Sequence, residues 1–208
     1  MKIGIIGSGH VGGTLTRRLS ALGHEVTVAN SRGPETLGAL VEETGTTAGT
    51  VEQATQDAEL VVVAIPMVAV PGLPAELFDG KVVVDADNYY PQRDGDIADL
   101  LDRSLSSSRW TADHLKGARV VKVFNNIQAP HLLEGGKPAG AGDRVALPVA
   151  GDDAQAKQLV MELVDSLGFD PVDAGTLDES WRQQPGTPVY GTDRDAEGVR
   201  QGLAEARP

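Results

Sequence analysis

The 208 residues are enough for one domain with a sizeable core, with or without a small appendage, so stability requires neither disulfides nor a metal. The chain contains no cysteine, which excludes thiol catalysis, iron–sulfur clusters and thiolate zinc sites and suits a reducing compartment. Its 30 acidic and 18 basic residues give a net charge of −12 without a basic cluster, which argues against nucleic acid as a ligand.

Seven apolar runs of strand length recur along the chain and are rich in valine and isoleucine, as is typical of strands buried on both faces of a parallel sheet. They lie at residues 2–6, 25–29, 60–65, 81–86, 119–124, 146–150 and 169–174. Apolar residues at helical spacing follow the first run and lie again between Leu159 and Leu167. This alternation predicts an α/β fold with a Rossmann-like, doubly wound, mostly parallel sheet.

The pattern weakens after about residue 175. We therefore expect a Rossmann domain at 1–177 and a short C-terminal extension at 178–208, whose helix near 194–205 packs on the domain or on a partner subunit. Residues 102–110 and 134–144 are predicted to be surface loops. No run reaches 18 apolar residues and the beginning does not resemble a signal peptide, so we expect a cytoplasmic protein without a membrane span.

The strongest motif lies directly after the first predicted strand. Gly7, Gly9 and Gly12 form G-x-G-x-x-G where the first helix opens. In this context the first glycine permits a tight turn, the second lets the backbone approach a pyrophosphate, and the third allows close packing of helix and strand. The free N–H groups of the helix then favour an anion. The motif therefore predicts dinucleotide binding.

The end of the second predicted strand indicates which dinucleotide is bound. An NAD site usually has an acidic residue here for the ribose hydroxyls, whereas this chain has Asn30, Ser31 and Arg32. A carboxylate would repel a 2′-phosphate, while Ser31 can donate a hydrogen bond to it and Arg32 can bind it in bidentate fashion. We predict NADP rather than NAD.

The sequence shows no acid–base motif of the common kinds. The four histidines are scattered, and neither H-E-x-x-H nor G-x-S-x-G occurs. Asp85 and Asp87 are interpreted as ending a strand and holding a turn, since no third ligand has the spacing of a metal site. Hydride transfer between two bound rings needs stacking and proximity rather than a general acid. The composition therefore fits a nicotinamide enzyme whose partner is another ring compound.

The segments "NSRGPE" (30–35) and "VAGDDAQAK" (149–157), together with the glycine motif, resemble the reduced coenzyme F-420:NADP oxidoreductase family, in its bacterial branch of small Rossmann proteins. The likeness extends over roughly residues 1–177. It implies hydride transfer between NADP and a 5-deazaflavin, coenzyme F-420, with the two rings stacked at the C-terminal ends of the strands. We also expect a homodimer that binds small molecules.

The resemblance assigns further residues. It implies that a stretch around the glycine motif holds the pyrophosphate, that Ser31 and Arg32 hold the 2′-phosphate, and that four residues at later strand ends border the nicotinamide or the deazaflavin. The pyrophosphate residues are Gly7, Ser8, Gly9, His10 and Val11, and the bordering residues are Ile65, Pro66, Asn88 and Asn125.

Two alternatives remain open. An NADPH-dependent reductase of another acceptor, such as a flavin or a small carbonyl or imine compound, fits the same motifs, as does an NADP-binding redox sensor without turnover. The sequence gives neither the acceptor nor the direction of transfer. Trp110 and Trp181 could line the second substrate's cleft or pack in the core or an interface, and the role of His131 is open.

Overall fold

Valine- and isoleucine-rich runs form an eight-stranded sheet in the structure, a computed structural model that describes residues 1–207. The strands are β1 (Lys2–Ile6), β2 (Glu25–Ala29), β3 (Thr47–Ala48), β4 (Leu60–Val63), β5 (Val82–Asp85), β6 (Arg119–Lys122), β7 (Ala146–Gly151) and β8 (Asp170–Asp173). Their spatial order is β3-β2-β1-β4-β5-β6-β7-β8, and each neighbouring pair is parallel except β6 and β7. The predicted Rossmann-like α/β fold is confirmed.

Several strands end before the apolar runs that predicted them. The last residues of the runs at 60–65, 81–86 and 119–124 lie beyond β4, β5 and β6, in the turns that follow these strands. Because β1, β2, β4, β5 and β6 are parallel, these turns share one side of the sheet, which we call the carboxyl edge. The two-residue strand β3 is too short to give a sequence pattern and was not predicted.

Helices connect the strands and cover the sheet. They are α1 (His10–Ala21), α2 (Gly38–Thr44), α3 (Val51–Gln56), α4 (Pro91–Asp94), α5 (Ala98–Leu101), α6 (Ser107–His114), α7 (Ala129–Glu134), α8 (Ala154–Ser166) and α9 (Ala196–Glu205), with 3-10 helices at Pro34–Leu37, Met67–Gly72, Ala75–Phe78 and Asp178–Gln183. Within residues 1–207, none of these helices combines the length and apolarity needed to cross a bilayer.

The prediction of a surface loop at 102–110 is wrong for its second half. Helix α6 begins there because the Ser106 hydroxyl accepts a hydrogen bond of 3.2 Å from the backbone N–H of Arg109. Ser107 and Ser108 are buried under this helix start. The sequence "SLSSSR" has the composition of a polar loop, but Ser106 caps a helix and the two serines after it are buried in its first turn. Residues 135–144 do form a loop, as predicted.

Apolar side chains cover both faces of the sheet, which holds the carboxyl edge in place. On one face Ile5 packs with Leu15 of α1 and Leu163 of α8. On the other face Val61 packs with Phe78. All but Leu163 are fully buried, and each such side chain contributes about 1.5–3 kcal/mol to folding.

The C-terminal extension adds a third apolar cluster. Val199 and Leu203 of α9 pack with Val189 against the outer strands, at Ala146 of β7 and Val172 of β8. The extension therefore lies on the sheet of its own chain. The division into a domain at 1–177 and an extension at 178–208 remains a prediction.

Candidate functional site

The glycine turn between β1 and α1 contains two glycines that the protein's own packing requires. Gly7 has φ +104°, and a Cβ there would collide with the carbonyl oxygen of Ala64. A Cβ at Gly12 would collide with the carbonyl oxygen of Gly7. Gly9 differs, because its Cβ position has no atom of the described chain within 4 Å and the residue is exposed. The open backbone at Gly9 fits a ligand that approaches closely, as a pyrophosphate does.

The same turn leads into the N-terminus of α1, which attracts anions. Gly9 is the N-cap and has no side chain to occupy the first N–H groups, and the first turn contains no acidic residue. Ser8 and Val11 are half-buried and His10 is exposed beside these groups. The twelve-residue helix therefore offers free donors and a partial positive charge at the place where Gly9 leaves space.

Asn30, at the end of β2, connects the two parts of the predicted cofactor site. Its Nδ2 donates to the Ser8 hydroxyl (3.2 Å) and to the Thr36 hydroxyl (2.9 Å), and its Oδ1 accepts from the backbone N–H of Arg32 (3.0 Å). Ser31 and Arg32 are exposed on the resulting turn. Among residues 1–207 the Arg32 guanidinium has neither an ion pair nor a hydrogen bond. The turn thus presents a hydroxyl and an unpaired cation beside the glycine loop.

The turns after β4 and β5 are joined by Asp87. Its Oδ1 accepts a 2.7 Å hydrogen bond from the backbone N–H of Ile65, which is half-buried next to the exposed Pro66. Asp85, the last residue of β5, accepts from the Asp87 backbone N–H (2.9 Å) and so holds the turn, as predicted. The predicted cofactor-bordering residues Ile65 and Pro66 are therefore fixed relative to β5.

A buried lysine accompanies these aspartates and was not singled out from the sequence. The Nζ of Lys122 lies 3.4 Å from Oδ2 of Asp85 and donates to the backbone carbonyl of Asp87. Burial, followed by the charge of Asp85, raises the pKa of the Asp87 carboxyl well above its usual range. The Oδ2 of Asp87 is buried without a partner in the described chain, which disfavours the charged form of this carboxyl.

Asn88 and Asn125 lie together at the carboxyl edge, and their amides bond to each other. The Nδ2 of Asn125 donates to Oδ1 of Asn88 (3.1 Å) and to the Gln183 carbonyl (2.7 Å), while Nδ2 of Asn88 donates to the Asn125 carbonyl (2.7 Å). Gln183 closes the cluster by donating Nε2 to Oδ1 of Asn125 (3.0 Å). Both predicted asparagines are thus buried and shape the edge, and their contact with a cofactor ring stays a prediction.

Phe124 introduces backbone strain at this position. It is fully buried and has φ +65°, a conformation that a bulky side chain rarely adopts. Such strain costs about 1–3 kcal/mol and is concentrated in proteins at functional sites. Here it turns the chain at the end of β6 and sets the direction of Asn125.

Two tyrosines far apart in the sequence meet beside this edge. The hydroxyls of Tyr90 and Tyr190 share a hydrogen bond, and the Arg93 guanidinium lies 5.0 Å from the centre of the Tyr90 ring. Burial and the bond to Tyr90 raise the pKa of Tyr190, so its phenol stays protonated at neutral pH. The pair ties the C-terminal extension to the turn after β5.

Of the residues left open by the sequence, Trp181 lines a cavity beside the carboxyl edge and Trp110 does not belong to its lining. The Nδ1 of His131 pairs with Asp193 at 2.6 Å on the surface, so this histidine connects α7 to the C-terminal extension.

Comparisons with known proteins identify the family of this chain. The profile of the family described as "NADP oxidoreductase coenzyme F420-dependent" matches residues 2–89, from β1 to the turn after β5. Hypothetical protein SMa0349 from Sinorhizobium meliloti has a similar structure, with a TM-score of 0.80 and 32% identity, over 93% of this chain and 95% of that one. A proposed F420-dependent NADP-reductase from Arthrobacter sp. FB24 has a TM-score of 0.73 and 30% identity, over 88% of this chain and 87% of that one.

A longer relative matches most of this chain. Metalloreductase STEAP3 from Rattus norvegicus is 31% identical over 178 residues, or 85% of this chain. The matched part of the chain spans between 34% and 43% of the length of three curated relatives. The two solved structures, in contrast, are covered nearly from end to end at 30% identity or more. With the family profile, they show that this chain belongs to the coenzyme F420-dependent NADP oxidoreductases, a family of NADP-dependent oxidoreductases.

Proposed function

We propose that the chain transfers a hydride between NADP(H), bound at the glycine turn, and a deazaflavin, coenzyme F-420, bound at the carboxyl edge. One observation above all supports this assignment. At the end of β2 the chain presents Ser31 and the unpaired Arg32 where a carboxylate would select NAD. The family membership supports the deazaflavin as the second substrate.

The chain's residues would divide the binding of NADP among them. The open backbone at Gly9 and the N-terminus of α1 would hold the pyrophosphate. Ser31 would donate a hydrogen bond to the 2′-phosphate, and Arg32 would bind the same group through two N–H donors. Asn30 acts through its neighbours, because its bonds to Ser8 and Arg32 set the distance between the two phosphate sites.

At the reacting end the residues of the chain would position the two rings and would not supply protons. When bound, NADPH would supply a hydride to the ring of the acceptor, and water would supply the accompanying proton. Ile65 and Pro66 would border one side of the cofactor, held by the bond from Ile65 to Asp87. The cluster of Asn88, Asn125 and Gln183 would form the polar floor. Two rings held face to face gain most of their rate from proximity.

We also propose that the protein acts in the cytoplasm as a homodimer. The absence of cysteine supports a reducing compartment. Light scattering after size-exclusion chromatography tests the dimer, which a mass of one 21.8 kDa chain would contradict.

The test of function uses the purified protein with NADPH and coenzyme F-420, followed by the loss of the deazaflavin's visible absorbance. A parallel reaction contains NADH, and further reactions replace F-420 with FMN or a cyclic imine. The proposal predicts rapid bleaching with NADPH and at least tenfold slower bleaching with NADH. If only FMN or the imine is turned over, that compound and not F-420 is the acceptor. Tight NADPH binding without any turnover would favour a redox sensor.

A further inference from the structure

A cavity of about 400 Å³ opens beside the carboxyl edge, outside the glycine turn. Its walls come from the chain between α5 and α6 and from the segment that follows the last 3-10 helix, with Tyr89 and Trp181 among the lining residues. Tyr89 follows Asn88 directly and Gln184 follows Gln183, so the cavity shares a wall with the amide cluster at the edge. Its volume lies in the range of small-molecule sites.

The walls of this cavity are fixed before any ligand binds. The Tyr89 hydroxyl donates to the Gly95 carbonyl (2.7 Å) and accepts from the Ile97 backbone N–H (3.2 Å), which holds the ring in place. The backbone N–H of Ser107 donates to Oε1 of Gln184 (2.8 Å) and joins the two walls. A site with fixed walls loses little conformational entropy on binding.

The charge of the cavity is opposite to that of the protein. Arg103 and Arg207 are part of the lining, whose only acidic residue among those described is Asp178, and this residue pairs at 2.6 Å with Arg109, which also pairs with Asp152. Arg103 has no ion pair or hydrogen bond to its side chain within residues 1–207, and the Arg207 guanidinium donates to backbone carbonyls. In a chain of net charge −12, two arginines around one cavity favour an anionic ligand.

We propose that this cavity binds the anionic side arm of the hydride acceptor, with Arg103 and Arg207 holding its phosphate or carboxylate. The inference rests on the proposed function, because it places the acceptor's ring at the neighbouring carboxyl edge. The acceptor class is therefore a planar heteroaromatic compound with a phosphorylated or carboxylated arm. A neutral ring riboside binds more weakly, since it leaves the arginines without an anionic partner.

The experiment measures equilibrium binding to the NADP⁺-loaded protein, where no turnover occurs, by the fluorescence anisotropy of the ligand. The probes are coenzyme F-420 and its riboside core without the phosphorylated arm, and then FMN and riboflavin, which differ by one phosphate. The variant is Arg103→Asn, because Arg103 has φ +60° and asparagine tolerates this conformation. Arg103→Lys keeps the charge, and Arg200→Gln is the matched control on the exposed face of α9.

The wild-type protein is expected to bind F-420 at least tenfold more tightly than the riboside core. Arg103→Asn should remove most of this preference by weakening F-420 alone, while Arg103→Lys and Arg200→Gln retain it. If the wild-type protein binds F-420 and the riboside core equally tightly, the cavity does not bind the side arm. An equal loss of affinity for both probes in Arg103→Asn would lead to the same conclusion. Turnover of F-420 without arm-dependent binding would leave the proposed function intact. If FMN binds more tightly than riboflavin and F-420 is not turned over, the cavity still binds a side arm but the acceptor is not a deazaflavin. If no probe binds, both the cavity assignment and the deazaflavin as acceptor are wrong.

Discussion

Lys122 and Asp85 lie opposite each other on β6 and β5, with neither side chain exposed and 3.4 Å between Nζ and Oδ2. The same ammonium donates to the carbonyl of Asp87, so one buried cation holds both the end of β5 and the turn after it. Asn88 is the next residue. The ion pair therefore fixes the backbone that presents the amide cluster to the carboxyl edge.

Replacing this lysine should be costly. In Lys122→Met the charge of Asp85 remains buried without its partner, and we expect the free energy of unfolding to fall by about 3–5 kcal/mol. Urea denaturation measures the change. Lys116→Met, at an exposed lysine, is the control and should have little effect. Adding Asp85→Leu to Lys122→Met should recover part of the loss, and a single variant as stable as wild type would contradict the role of the pair.

The Asp87 carboxyl should make stability depend on pH with a defined sign. Its pKa is raised in the folded chain above the ordinary value of about 3.9, by burial and by Asp85. The folded state then binds the proton more tightly than the unfolded state, so this group lowers stability as pH rises from about 4 through the folded pKa.

Asp87→Asn removes this titration and keeps an oxygen for the Ile65 N–H. Urea denaturation at several pH values should show that the variant gains stability relative to wild type as pH increases. Asp113→Asn, at an exposed aspartate, should follow the wild-type curve. A difference between Asp87→Asn and wild type that stays constant with pH, or changes in the opposite direction, would show that folding does not raise the pKa of Asp87.

Substitutions at Gly12 and Gly9 should have different effects, the first on stability and the second on NADPH binding. A Cβ at Gly12 collides with backbone, so Gly12→Ala should lose about 3 kcal/mol or more of stability. A Cβ at Gly9 meets no protein atom, so Gly9→Ala should lose at most about 1 kcal/mol, the difference between glycine and alanine as an N-cap. Calorimetric titration should nevertheless show NADPH binding at least tenfold weaker in Gly9→Ala. Unchanged affinity in that variant would mean that no ligand approaches Gly9.

Arg32 should distinguish the two nicotinamide dinucleotides. Arg32→Ala is expected to weaken NADPH binding by about 1.5–3 kcal/mol, the range for a hydrogen bond to a charged group, and to leave NADH binding nearly unchanged. Arg32→Asp should shift the preference toward NADH. Arg200→Ala serves as the control, and an equal loss for both dinucleotides in Arg32→Ala would show that the arginine does not contact the 2′-phosphate.

Local signals in the sequence predicted the parts of the structure that depend on neighbouring residues. Seven strands follow from runs of valine and isoleucine, and the position of the glycine turn between strand and helix follows from G-x-G-x-x-G. Helix α6 was missed because its serines favour both loops and helix caps, and only their burial distinguishes the two.

The contacts that shape the carboxyl edge depend on distant residues and could not be predicted from local patterns. Tyr90 meets Tyr190 across one hundred positions, and Gln183 reaches Asn125 across fifty-eight. The sequence does indicate that Lys122 is unusual, because it is the only charged residue in the apolar run "VVKVF" (120–124). Its neighbours in this run are buried. A charge within such a run indicates a buried partner, but the partner's identity requires the register of β5 against β6.

The most direct test of the account uses NADPH deuterated at C4 of the nicotinamide, separately on each face, with coenzyme F-420 and the purified protein in ordinary water. Mass spectrometry of the reduced deazaflavin then shows the origin of the hydrogen at C5. Direct transfer in a fixed geometry predicts that the product retains deuterium from one labelled face and none from the other. A reduced deazaflavin without deuterium from either face, or no reduction of F-420 at all, would contradict hydride transfer between the two rings.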